Sequence, residues 1–101
     1  MKQSIYKLRV PDEVAGLIRN MHPHLKKKVK ASLQLIISNP YSGKGLKDEL
    51  TGLKSFRVSR LRIIYRISSD RIIEVVAIGP RESIYEETLR ILSKKKNESK
   101  G

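Results

Sequence analysis

The stretch Phe56-Arg57-Val58-Ser59-Arg60-Leu61-Arg62-Ile63-Ile64-Tyr65-Arg66-Ile67 decides the fold. Apolar residues dominate alternate positions on either side of Ser59-Arg60, the period of a half-buried strand. A two-residue turn at Ser59-Arg60 makes a hairpin with Phe56 opposite Ile63 and Arg57 opposite Arg62. The turn is weakly encoded, because a type I′ connection needs positive φ at both central residues. Like charges directly opposite on one sheet face destabilise the pair. A phosphate held between the two guanidinium groups would relieve that repulsion.

The next strand, Arg71-Ile72-Ile73-Glu74-Val75-Val76-Ala77-Ile78, is nearly all apolar, as a central strand covered on both faces should be. A three-residue turn at Ser69-Asp70-Arg71 sets Ile63, Tyr65 and Ile67 opposite Ala77, Val75 and Ile73. The same register pairs Arg66 with Glu74 and puts Arg62 opposite Ile78. Gly79-Pro80 ends the strand, since proline donates nothing to a ladder, and Arg81 emerges close to Arg62. Arg57, Arg62, Arg81 and Tyr85 are thereby gathered with no carboxylate among them, the outline of an anion site. The plainer alternative is a solvated basic strand face.

Outward from this core, residues 4–10 alternate imperfectly and read as a first strand ended by Pro11. Asp12 can cap a helix with Val14, Leu17, Ile18 and Met21 on one face. His22-Pro23-His24 interrupts it. A second helix from about His24 to Ser38 aligns Leu25, Val29, Leu33, Ile36 and Ile37, and Asn39-Pro40 stops it. Residues 41–52 form a polar connection pinned by Leu46, Leu50 and Leu53. Its Ser42-Gly43-Lys44-Gly45 lacks the full spacing of a phosphate loop. Ser83 and Glu86 have the spacing of a capping box that starts a short helix carrying Ile84, Thr88, Leu89 and Leu92, which places Tyr85 in its first turn. The order strand-helix-helix-strand-strand-strand-helix implies an α+β domain, an antiparallel sheet with the two N-terminal helices on one face. Residues 1–93 form the expected single domain and 94–101 a basic, disordered tail.

Twenty-two Lys and Arg against ten Asp and Glu give a formal charge of +12 over 101 residues. That excess implies polyanionic partners. With no cysteine, disulfides, thiolate nucleophiles and Cys-ligated zinc are excluded. Met1 to Lys7 lack the apolar run of a signal peptide, and no segment nears the ~20 apolar residues of a membrane span. The expectation is a cytoplasmic protein with no membrane partner, no cofactor and no metal.

Leu46-Lys47-Asp48-Glu49-Leu50-Thr51-Gly52-Leu53, then Phe56-Arg57-Val58 through Leu61-Arg62-Ile63-Ile64-Tyr65, then Ala77-Ile78-Gly79-Pro80-Arg81-Glu82-Ser83-Ile84-Tyr85 resemble the RelE/ParE superfamily of toxins from type II toxin-antitoxin pairs. The resemblance covers nearly the whole chain and implies a RelE-like fold. Its RelE branch implies a ribosome-dependent endonuclease that cuts messenger RNA in the A site. By resemblance Arg57, Arg62, Arg81 and Tyr85 match that branch's catalytic positions. Ser55 departs from it, standing where some members carry lysine, and Ile84 stands where some carry histidine. The implied partners are an acidic antitoxin, the ribosome with its message, and operator DNA through the antitoxin complex alone. The alternatives are a ParE-like gyrase inhibitor and a degenerate toxin that only binds its antitoxin.

The implied reaction is metal-independent attack of a ribose 2′-OH on the adjacent phosphate. Arginines suit the phosphorane, because guanidinium stays charged and grips two oxygens. For the same reason they are poor bases. Tyr85 remains as base, as a group that orients or stacks the substrate, or as a structural residue; a phenol of ordinary pKa ~10 needs lowering to act as base. His22 and His24 flank a turn far in sequence from the arginines and read as surface residues.

Overall fold

The computed structural model describes residues 5–100, in the order β1 (Lys7–Arg9), α1 (Asp12–Arg19), α2 (Pro23–Ser38), β2 (Lys44–Gly45), β3 (Lys54–Val58), β4 (Leu61–Ile67), β5 (Ile72–Pro80) and α3 (Ile84–Lys100). Residues 1–4, which include the start expected for the first strand, lie outside the described residues, as does Gly101. The fold is α+β, with one five-stranded sheet in the order β1-β5-β4-β3-β2. Every strand pair is antiparallel except β1 with β5, which is parallel. The two helices and three strands that separate β1 from β5 in sequence supply the long crossover a parallel pair requires. The two-residue β2 is a further departure from the sequence-based strand count.

The hairpin register is as read: Phe56 faces Ile63 and Arg57 faces Arg62. At its tip Ser59 has φ +56° and Arg60 is not among the positive-φ residues. That is the pattern of a II′ rather than a I′ turn. The second connection also holds, with Ser68 N–H donating to Ile72 O at 2.7 Å and Arg71 at φ +58°. Three-residue hairpin loops commonly close on such a left-handed residue.

One part of the expected register is wrong. Arg62 faces Gly79, not Ile78, and Ile63 faces Ile78, not Ala77. Ile64 pairs with Ala77 and Tyr65 with Val75, so Val76 is an extra residue on β5. A bulge of this kind shifts the faces of everything beyond it by one. Below the bulge the expected pairs Tyr65–Val75, Arg66–Glu74 and Ile67–Ile73 stand.

Both faces of the sheet are covered. On one, Ile63, Tyr65, Ile73, Val75 and Ile78 pack against Val14 and Ile18 of α1 and Val29, Leu33 and Ile36 of α2. On the other, Ile64, Val76, Ala77 and Leu53 pack with Ile84, and Leu46, Leu50, Tyr85, Ile91 and Leu92 close around them. Gly79 permits this second layer: a β-carbon there would lie 3.1 Å from Ile84 Cδ1. The bulge is what presents Gly79, rather than Ile78, to α3.

Helix boundaries follow local chemistry. Pro11 precedes α1 with no side-chain cap, so Asp12 serves as a first-turn acid rather than the cap. Leu17, expected on the buried face, is 53% exposed. His22 caps α2, its Nδ1 accepting from His24 N–H at 3.2 Å, and Pro23 opens the helix. Ser83 N–H donates to Pro80 O at 3.1 Å, so the expected capping box does not close there. α3 buries Ile84 and Thr88 and exposes Leu89, and its backbone continues through Lys100, over residues assigned from sequence to a tail.

Candidate active site

Of the four residues singled out from sequence, Arg57 and Arg62 occupy the face of the sheet that α3 covers in part, Arg81 follows the end of β5, and Tyr85 belongs to α3. β3 presents Ser55 and Arg57 to that face, in line with Leu53 just before it, because the alternate residues Phe56 and Val58 pack with the α1/α2 core. β4 adds Arg62 opposite Arg57, and β5 adds Gly79 opposite Arg62. Arg57 and Arg81 are exposed, and Arg62 is half-buried with Nη1 donating to Leu61 O at 3.4 Å. None of the three is ion-paired among the described residues. Tyr85, in the first turn of α3, lies across β3 with its hydroxyl 3.4 Å from Ser55 Oγ. Ser55 is two residues from Arg57 on the same face, so Tyr85 borders the arginines without lying among them.

Arg57 and Arg81 line one concavity of about 560 Å³, together with Arg60, Ser59, Leu25 and Glu82. Arg62 and Tyr85 are not in its wall. The site is therefore wider than expected and holds one carboxylate, Glu82, contrary to the sequence-based outline. Arg60 and Ser55 are additions to it. Arg60 sits at the hairpin tip, where its charge was visible in sequence. Ser55, marked in the sequence as the place where some relatives carry lysine, shares its face with Leu53 and Arg57.

An open, cationic surface of this kind can bind a phosphodiester and balance charge that grows on it. Among the described residues no three His, Asp or Glu stand together as metal ligands do, and no helix is long and apolar enough to cross a membrane.

Tyr65 is structural, fully buried in the core between the sheet and the two N-terminal helices. Its buried hydroxyl donates to Pro40 O at 2.8 Å and accepts from Gly43 N–H at 3.0 Å. Burial raises its pKa, against the lowering effect of hydrogen bonds from Gly43 and Ser42. A β-carbon on Gly43 would come within 2.5 Å of that oxygen. Gly43 is there for close approach to a phenol, which accounts for the incomplete phosphate-loop pattern.

Residues 5–85 match the family described as ParE toxin of type II toxin-antitoxin system, parDE. Among solved structures, the toxin-antitoxin complex RelBE2 from Mycobacterium tuberculosis is similar with a TM-score of 0.65 at 23% identity, over 75% of this chain and 98% of that one. A mutant of the E. coli toxin RelE in the free state gives 0.70 at 13% identity, over 89% and 96%. The archaeal RelE-RelB complex from Pyrococcus horikoshii gives 0.63 at 19% identity, over 75% and 94%. No curated protein matches the chain.

Proposed function

This chain belongs to the ParE toxin family of type II toxin-antitoxin systems, and from that premise we propose that it is a ribosome-dependent endonuclease acting on messenger RNA. The observation that carries the reading is Arg57 held opposite Arg62 by strand register. The sheet tolerates a repulsive pair that a phosphate would neutralise.

In the proposed reaction the ribose 2′-oxygen attacks the adjacent phosphorus and loses its proton. The bond from phosphorus to the 5′-oxygen breaks, and that oxygen takes up a proton. The products are a 2′,3′-cyclic phosphate and a 5′-hydroxyl. Arg57, Arg62 and Arg81 balance the charge of the phosphorane, each donor acting where charge grows. Tyr85, steadied by Ser55, orients the ribose or accepts its proton.

The proposed antitoxin has a place to bind on the opposite edge of the sheet. β1 pairs only with Ile72–Glu74, so the outer edge of β5 beyond Glu74 has no strand partner among the described residues. A groove of about 510 Å³ follows that edge between α1 and α3, lined by Val14, Leu17, Val76, Ile78 and Ile91. An incoming strand or amphipathic helix suits such an edge and groove. RelB-bound relatives support a cognate antitoxin.

The test is cleavage of a translated message on programmed ribosomes, mapped by primer extension, with Arg81→Ala alongside. Cuts in A-site codons that vanish in the variant support the nuclease. Intact message from folded protein, with loss of gyrase supercoiling, supports the ParE-like alternative named above. Loss of neither, with antitoxin binding retained, supports a degenerate toxin.

A further inference from the structure

We propose that the start of α2 forms a second subsite for single-stranded RNA, built from His24 and Lys28 and joined to the arginine concavity across the hairpin tip. The inference rests on the nuclease reading for the identity of the ligand, and extends its substrate contacts beyond the reacting phosphate.

The two hollows adjoin. One, of about 280 Å³, is lined by His22, His24, Leu25, Lys28 and Ser59. The arginine concavity shares two of those walls, Leu25 and Ser59. Histidines far from the arginines in sequence are thus brought beside them, because the β3–β4 turn rises against the beginning of α2. Ser59 holds the left-handed backbone at that tip.

The chemistry along this lane suits an RNA strand. Lys28 lies one turn after His24, and residues at that spacing share a helix face. Lys28, Arg60, Arg57 and Arg81 are all exposed, and none is ion-paired among the described residues. Glu82 is the single carboxylate in the two linings. The His22 and His24 rings lie 6.1 Å apart at 25° to each other and are exposed. His22 is fixed by its bond from His24 N–H. Exposed imidazole faces stack unpaired bases, while the flanking cations track the backbone. A strand with one phosphate among the arginines would lay its neighbouring nucleotides over Ser59 and onto α2.

The experiment uses trinucleotide and octanucleotide RNAs, 2′-O-methylated so that no attack occurs, with binding read by fluorescence anisotropy over a salt series. The octanucleotide should bind more tightly to the native chain than the trinucleotide. Lys28→Ala should remove most of that gain and lower the slope of log affinity against log salt by about 0.7. His24→Ala should weaken the octanucleotide about fivefold or more. Neither change should alter trinucleotide binding, and Lys47→Ala, an exposed charge off the lane, should leave the gain intact. Circular dichroism and melting confirm that each variant is folded; His22, which caps the helix, is left in place. A missing length gain, or one lost equally with Lys47→Ala, overturns the subsite. Failure of the nuclease reading would appear separately, as an uncut message on the ribosome.

Discussion

β4 carries two arginines four residues apart on one face, and the sheet treats them in opposite ways. Arg66 meets Glu74 across the strand pair at 2.8 Å, and Arg9 of β1 comes to the same carboxylate at 3.8 Å. Arg62 meets Arg57 on one side and Gly79 on the other. One end of the strand is electrostatically closed, and the other is left open. The closed end joins β1, β4 and β5. At the open end the strand register sets Arg57 against Arg62 with no carboxylate opposite either, which suits the proposed binding surface.

The largest effect should appear at the open end, in catalysis. Arg81→Ala should lower the rate of message cleavage on the order of 10²–10³-fold, as removal of a donor to a developing oxyanion does, with melting temperature unchanged. Single-turnover cleavage on programmed ribosomes reads it. A large loss of stability instead would mean that Arg81 is part of the scaffold.

Next in size is the phenol behind the sheet. Tyr65→Phe leaves Gly43 N–H and Pro40 O without a partner and should cost about 1–3 kcal/mol in urea unfolding. Its raised pKa gives a pH signature. The folded state holds the proton more tightly than the unfolded chain, so this contribution is intact below pH ~10. It is lost as pH climbs through the raised folded value. Alkaline melting curves of Tyr65→Phe should therefore fall less steeply than those of the native chain. Equal slopes would remove Tyr65 as their source.

The smallest effects are the most diagnostic, because their signs differ. Arg57→Thr removes a like-charge pair and should stabilise the protein by about 0.2–1 kcal/mol. Glu74→Gln removes the attraction at the other end and should destabilise it by no more than about 1 kcal/mol, since Arg66 is partly in solvent. Thermal melts at low and high salt should show both shifts shrinking with salt. Shifts of the same sign would break the contrast between the two ends.

Much of this was legible because strand alternation and turn length are local properties. The Arg57–Arg62 and Arg66–Glu74 pairs follow from counting residues through two short connections. The bulge at Val76 was not legible, since a continuous apolar run reads the same with or without an extra residue. What it accommodates is tertiary: it sets Gly79 under Ile84 of α3, where a β-carbon would lie 3.1 Å from Ile84 Cδ1. The parallel docking of β1 and the exposure of Leu17 on α1 likewise depend on partners distant in sequence. His22 and His24 are surface residues at the interhelix turn, as read, but their closeness to the β3–β4 hairpin tip was not legible, since sequence separation says nothing of a tip resting against a helix start. Within the site, Arg57, Arg62 and Arg81 were visible as unpaired cations, whereas Glu82 in the wall and the Ser55–Tyr85 contact needed the fold.

The most direct test of the contrast is A-site cleavage by Arg57→Thr and Arg66→Thr measured side by side on the same programmed ribosomes. The two variants remove the same charge from one face of one hairpin. Loss of the cuts with Arg57→Thr and their persistence with Arg66→Thr is the predicted result. Equal activity in both, or loss in both from folded protein, would contradict the division of the sheet into a closed end and a working one.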